Sequence, residues 1–360
     1  ASALSLVGSE MCIRDRSSIV RQLPSKVTSI FQRGSYMVAG DKDGSLACWS
    51  LDKGNLRWEV ALDPSVSDIC SGGDFFIVAH GGRLTSVSME TGLSSWSTKL
   101  DGASDYVVCN GRSIWVTSSV YEVEIGDYTH CKITEVEKES GTIMSSHSLD
   151  SKAWALEIFG EGCMIGTGRP SPGAYLLDSD GDCRIIDMAP KLPVVKSILS
   201  PEGRISFMTS LGTAYEIDQS CKITNISDDV SCVGYLHNGD WIALSQKEYI
   251  DTLKIPQEDG QEYRSEIISS EEMTIITKCS NETNGIWKSQ DDTVYWTRER
   301  DELTAVSGQD RYIILGFLSG KIFVLEKDVV SRRSTMGAFS MGNKSEMIER
   351  LRMLRIETNG

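Results

Sequence analysis

Apolar and polar residues alternate along most of this chain in short runs, and the runs are separated by Gly- and Asp-containing turns. VTSIF (27–31) leads to SYMVAG (35–40), a tight turn follows at 41–44, and LACWSL (46–51) comes next. A Lys-Gly turn then introduces NLRWEVAL (55–62). A period of two bounded by turn residues predicts half-buried β-strands joined by hairpins, and Gly supplies the positive φ that such turns require. Each unit therefore reads as four short antiparallel strands.

The unit repeats. DGSLACWSLDKGNLRWEVAL (43–62) superposes on GGRLTSVSMETGLSSWSTKL (81–100), which aligns Gly54 with Gly92 and Trp58 with Trp96. A weaker copy, EKESGTIMSSHSL, places Gly141 at the same point after a longer insertion. The central hairpin recurs at 36–51, 75–89, 114–125, 163–177, 205–217, 241–255, 286–297 and 312–325. Leading strands are expected near Val27, Val66, Asp105, Ala153, Val194, Val230, Met273 and Leu303, mostly about 40 residues apart. That is the spacing of four-stranded propeller blades. The interval shrinks between Met273 and Leu303, so that unit is expected to lack its outer strand. The count reads as eight blades, with seven plus an inserted hairpin as the alternative. The last unit stops after three strands, at Leu325–Glu326. SIVRQL (18–23) is an orphan strand at the start that could complete it and close the ring, removing an exposed sheet edge.

The run DGSLACWSLDKG resembles the D-G-x-(aliphatic)-x-x-W-D-x-x-x-G segment of WD repeats, with Ser50 in place of the Asp. Thr91-Gly92 through Trp96 resembles the T-G-x-x-x-W segment of quinoprotein-like (pyrroloquinoline-quinone-type) repeats. The resemblance is strong over 27–100 and degenerate over 104–327. It implies an all-β β-propeller over residues 17–328, and it specifies architecture far better than function, because propellers host many activities.

The tail breaks the pattern. Residues 329–360 read as a polar linker followed by a short C-terminal α-helix over Lys344–Glu357, with Met347, Ile348, Leu351 and Leu354 along one face. The helix either packs on the propeller or binds a partner or another copy, with disorder or truncation of a longer element as the remaining alternatives. At the other end, Leu6–Arg16 resemble a translated sequencing adapter, so residues 1–16 stand outside the fold reading. The absence of a signal peptide there therefore carries no weight.

Composition narrows the function. The chain has a formal charge of −15 and a sequence pI near 4.8, with 40% hydrophobic and 24% charged residues. An acidic surface without a Lys/Arg cluster disfavours nucleic acid, and no apolar run is long enough to span a membrane. The cysteines are scattered without a C-x-x-C pair, which favours free thiols in a reducing compartment and a cytoplasmic location.

Candidate chemistry is sparse. Asp178–Asp182 (DSDGD) has oxygen donors at alternate positions but lacks the downstream Glu of a calcium loop, and it falls where the repeat places a turn. His80, His130, His147 and His237 have no metal-ligand spacing and read as turn or surface residues. No catalytic constellation, cofactor site or metal site is identified. A quinone- or sugar-processing enzyme is the alternative reading. Quinoprotein dehydrogenases, by resemblance, carry an adjacent cysteine pair that is missing here. The reading reached is a non-catalytic scaffold for a protein partner. Trp58 and Trp96 are assigned to packing between blades. Trp154, Trp241, Arg169, Met347, Leu351 and Leu354 are the candidate partner-binding residues. The loop Gly168–Gly173 and the insertion 126–140 are further contact elements, because loops on rigid scaffolds commonly carry function.

Overall fold

The computed structural model describes residues 17–329 except 179, 189, 201, 229, 236–240, 246–263, 271–272, 280–282, 290–293, 300, 310 and 327. Within 231–300, and at residue 309, it describes the backbone alone. The expected C-terminal helix, with Met347, Leu351 and Leu354, lies outside the described residues, as do residues 1–16.

The described strands are all paired antiparallel. A lone strand β1 (Ile19–Gln22) precedes the first complete sheet, β2 to β5 (Val27–Arg33, Tyr36–Asp41, Ser45–Ser50, Leu56–Ala61). The second sheet is β6 to β9 (Val66–Ser71, Phe75–His80, Arg83–Ser88, Ser94–Lys99), and the third is β10 to β13 (Ala103–Cys109, Ser113–Glu122, Asp127–Glu137, Ile143–Ser148). The fourth comprises β14 to β17 (Ala153–Phe159, Gly162–Thr167, Gly173–Leu177, Cys183–Ile185). The fifth comprises β18 to β21 (Val194–Leu199, Ile205–Thr209, Ala214–Ile217, Ile223–Ser227). Two strands of the next sheet are described, β22 (Val230–Tyr235) and β23 (Trp241–Ser245). Then come β24 to β27 (Arg264–Ser270, Met273–Cys279, Thr283–Ser289, Val294–Glu299) and finally β28 to β30 (Leu303–Gln309, Tyr312–Phe317, Lys321–Glu326). Each sheet runs in simple up-and-down order, and its first strand lies against the first strand of the next sheet, from β2 round through β24 to β28 and back to β2. This is a propeller, with the leading strands innermost.

The ring closes as the orphan strand predicted. β1 pairs with β30, in the register Ile19↔Val324 through Gln22↔Lys321, and completes a sheet whose other three strands come from the far end of the chain. Leu23 N donates to Gly320 O at 2.9 Å beside it.

Two expectations are corrected. The unit thought to begin at Met273 begins at Arg264, and it has four strands rather than three. Its leading strand, RSEIISS, carries only two adjacent apolar residues and so shows no alternation. The hairpin expected at 114–125, with an insertion after it, is instead one long hairpin, Ser113–Glu122 with Asp127–Glu137. A β-bulge near His130, which has φ of 48°, shifts the third strand by one residue and breaks its period of two.

The core sits between blades. Val38, Leu46, Cys48 and Trp58 of the first sheet pack with Val66, Ile69, Phe76, Val78, Val87 and Met89 of the second. Burying each large side chain contributes on the order of 2 kcal/mol. Gly40 shows how close the blades approach, since a Cβ there would lie 2.3 Å from Val66 Cγ1 of the next blade. Gly166 meets Val194, and Gly316 meets Val27, in the same way. The repeat's Gly and Trp also act across blades, as expected of Trp58 and Trp96. Trp58 lies on Gly92 and donates from Nε1 to Met89 O at 2.9 Å, while Trp96 lies on Gly141 and donates to Lys138 O at 3.0 Å. His147 takes the Trp position over Gly181 in the next step.

Candidate interaction surface

The two ends of the ring are defined by the strand directions. At the upper rim each inner strand begins, and the turn between the second and third strands of each sheet lies there too. Inner strands carry a bulge at one repeated place. Thr28 is skipped in the pairing of β2 with β3, and Ser67, Trp154, Val195, Ser231 and Thr304 are skipped in the corresponding strands. In β10 the shift falls at Asp105–Tyr106. At Thr28, Ser67 and Thr304 the hydroxyl satisfies a carbonyl of the second strand. Thr28 Oγ1 donates to Gly40 O at 3.2 Å, Ser67 Oγ to Ala79 O at 3.0 Å, and Thr304 Oγ1 to Gly316 O at 3.2 Å. Thr304 also reaches Val27 O of the next blade, at 2.6 Å.

Trp154 occupies that position in β14 and breaks the pattern. The indole is 38% exposed and lies over Gly168, where a Cβ would come within 2.3 Å of its Cε2. The adjoining loop is tied down from below. Gly168 N donates to Lys152 O at 3.0 Å, Ser171 N to Ser151 Oγ at 2.7 Å, and Thr167 Oγ1 to Ser171 O at 3.0 Å. Arg169 and Pro170 are left exposed at its apex. Trp154 and Arg169, picked separately from the sequence, are thus brought together. Trp241 is not. It begins the second strand of its sheet and pairs with Tyr235 at the end of an inner strand, which puts it at the lower rim.

The neighbouring blade supplies the second half of the surface. Lys152 Nζ is 2.7 Å from Asp105 Oδ1 and 4.0 Å from the centroid of the Tyr128 ring on the long hairpin. Ser119 Oγ donates to Asp105 Oδ2 at 2.8 Å. Burial pulls the Lys152 ammonium down, but the hydrogen bond and charge of Asp105, with Tyr128 beside it, together outweigh this and hold the pKa above its ordinary value, so the side chain stays charged. This network, together with a cation–π contact, clamps the hairpin to the junction of the two blades. Beyond it Tyr121, Val123 and Ile125 are 53%, 83% and 61% exposed. Val195 and Leu211 are further exposed apolar residues on the upper rim of the fifth sheet. Other large exposed apolar residues, such as Leu56, Ile143 and Ile185, lie on outer strands. The sequence signal for Tyr121, Val123 and Ile125 was the alternation of apolar and acidic residues in YEVEI (121–125), which falls inside the hairpin expected at 114–125.

Two acidic side chains face neighbouring inner strands. Asp68 Oδ2 accepts Val107 N at 3.0 Å, and Glu157 Oε1 accepts the Ser197 hydroxyl at 3.2 Å, each across a blade junction. Burial pushes Asp68 up to about 6 and Glu157 up to about 7. At Asp178–Asp182 the donors are used in the turn itself, with Asp178 Oδ1 accepting the backbone N–H of Asp180 and Asp182. Among the described residues, no group of three or more His, Cys, Asp or Glu side chains could hold a metal ion. His80 is buried at the end of β7, with Nε2 2.8 Å from Thr85 Oγ1, and desolvation lowers its pKa.

These features define a β-propeller with exposed loops and side chains along its upper rim. A family model described as outer membrane protein assembly factor BamB matches residues 16–176, where the repeats resemble the quinoprotein-like type. No curated protein sequence matches the chain. Among solved structures, the chain resembles the Saccharomyces cerevisiae Sqt1, at 10% identity and a TM-score of 0.64, covering 86% of this chain and 98% of that one. The computationally designed Ika8 protein gives 12% identity and a TM-score of 0.63, covering 86% and 99%. Virginiamycin B lyase from Staphylococcus aureus gives 14% and 0.56, covering 85% and 98%. At these identities the likeness establishes the fold. No helix among the described residues is long and apolar enough to cross a membrane.

Proposed function

We propose that the chain is a non-catalytic scaffold that binds a protein partner on the upper rim of its third to fifth sheets. The observation that carries this reading is Trp154. It replaces a hydroxyl residue that ties the inner strand in other blades, and it exposes an indole beside Arg169. Aromatic and Arg side chains are the residues most enriched among interface hot spots. Exposed apolar residues gathered on one rim commonly mark an interaction site. The family model's own description, an assembly factor, accords with a binding role. The test is affinity capture with residues 17–360, the same chain carrying Trp154→Ser and Arg169→Ala, and a chain ending at Asp328. A partner lost with the double variant and kept by the shortened chain supports the rim. A partner lost only with residues 329–360 moves recognition to the tail.

A quinone- or sugar-processing propeller enzyme is the second reading, and one observation favours it. Glu157, with its pKa near 7, has the proton affinity of a general acid or base at neutral pH. Its carboxylate accepts a hydrogen bond from Ser197 of the adjacent blade, which gives it structural work instead. Binding of a quinone together with Ca²⁺, lost in Glu157→Gln, would favour the enzyme over the scaffold.

A further inference from the structure

The hairpin β11–β12 outgrows its own sheet. β10 accompanies β11 only as far as Ser119, and β13 accompanies β12 only as far as Lys132. The two central strands continue together to Glu122↔Asp127. Gly126, at φ of 67°, closes the tip by donating to Glu122 O at 2.9 Å. Residues 120–131 therefore form a two-stranded ribbon that projects from the propeller. An isolated ribbon of this kind is marginal in water. Here it is anchored at its base by Asp105, Lys152 and Tyr128, with Tyr121 and Tyr128 packed edge to face at 5.1 Å between ring centroids.

The tip is chemically one-sided. Glu122 and Glu124 alternate with Tyr121, Val123 and Ile125, Asp127 pairs across with Glu122, and each of the three apolar residues is exposed. The neighbouring cations are engaged elsewhere: Lys132 with Asp101 at 2.5 Å, and Lys152 with Asp105. Along Asp127–His130 the outer edge of β12 has no strand beside it among the described residues. Sheet edges of this sort accept an extended segment through main-chain hydrogen bonds, with side chains supplying selectivity.

Resting on the rim reading above, we propose that this ribbon docks an extended, basic amphipathic segment of the partner. Apolar side chains of that segment seat on Tyr121, Val123 and Ile125, and its Lys or Arg residues meet Glu122, Glu124 and Asp127. Complementarity of charge selects the basic segment, because an acidic one would face three carboxylates, while Lys132 and Lys152 beside them are paired with Asp101 and Asp105.

The experiment is fluorescence anisotropy on the full chain with two labelled probes, an alternating Lys/Val heptapeptide and its Glu/Val counterpart. The Lys/Val probe is expected to bind at low ionic strength and the Glu/Val probe to stay free. Val123→Ser/Ile125→Ser and Glu122→Gln/Glu124→Gln should each weaken binding about tenfold or more. Glu90→Gln/Glu139→Gln removes the same charge from exposed positions away from the ribbon and should change binding less than about twofold. Equal weakening by all three double variants would mean diffuse attraction to an acidic protein, and would overturn the proposal. So would preferential binding of the Glu/Val probe. Partner capture by the Trp154→Ser chain separates the two levels. Capture lost in that chain while the ribbon variants leave probe binding intact sinks the ribbon and keeps the rim. Capture retained in Trp154→Ser sinks the rim reading itself.

Discussion

The inner strands β2, β6 and β28 and the inner strand β14 share a bulge, a preceding buried core residue and a register, yet they differ at one residue. In the first three, Thr28, Ser67 and Thr304 turn a hydroxyl onto a carbonyl of the adjacent strand. In β14 that residue is Trp154, which makes no such bond and spreads over Gly168 toward solvent. The hydroxyl in the first three serves folding, because a buried carbonyl left without a donor costs stability. A large indole held half in water gains little for folding, so its presence is better explained by what it can touch. The comparison separates the scaffold from the surface it displays.

The largest effect should come from what the compared blades have in common. Gly40→Ala, Gly166→Ala and Gly316→Ala each drive a methyl group into a valine of the neighbouring blade, at 2.3 to 2.6 Å. Overpacking of this kind costs about 1–3 kcal/mol. All three should lower the midpoint of urea unfolding by similar amounts, with the β14 blade no exception. If Gly166→Ala alone were silent, the β14 blade would not share the scaffold.

Next in size is a pH effect at the blade junctions. Glu157 and Asp68 have folded pKa values raised by burial, to about 7 and about 6. A raised carboxyl favours the folded state while it is protonated. Its contribution is therefore full below the unfolded value near 4, and it is lost as pH climbs through the folded value. Stability should fall between about pH 4.5 and 7.5 from these groups. Glu157→Gln should flatten that slope and stabilise the chain by roughly 1–2 kcal/mol at pH 8. Equilibrium unfolding measured across that range checks the sign.

A smaller effect sharpens the comparison directly. Thr304→Val removes the hydroxyl but keeps the shape, and it should cost about 1 kcal/mol, because Val27 O and Gly316 O both lose its donor. Ser67→Ala should cost a similar amount or less. Trp154→Ser restores the repeat's residue in β14 and should change stability by no more than about 0.5 kcal/mol. Thermal unfolding of the three variants side by side gives the order.

Much of this fold was legible because its determinants are local. The period of two in SYMVAG and LACWSL, the Gly at positive φ in the turns, and the T-G-x-x-x-W segment all speak within a few residues. The orphan strand Ser18–Leu23 could be placed because a three-stranded last unit needs a fourth. The seventh leading strand was misplaced because RSEIISS has no alternation, and the long hairpin was cut short because a bulge at His130 reverses the period. Trp154 and Arg169 were each visible as candidates. Their convergence depends on the Ser151–Ser171 bond and on Gly168, which are tertiary facts without a local pattern. The position of Trp154 at a repeated bulge could have been found from sequence by aligning the second residue of every leading strand.

The central claim is that Trp154 serves recognition and not folding, so the most direct measurement pairs the melting temperature of Trp154→Ser with its capture of partner, from one preparation. The account predicts a melting temperature within about 2 °C of the parent chain and capture reduced about tenfold or more. A clear drop in melting temperature with capture intact would contradict it, and would make Trp154 a structural residue after all.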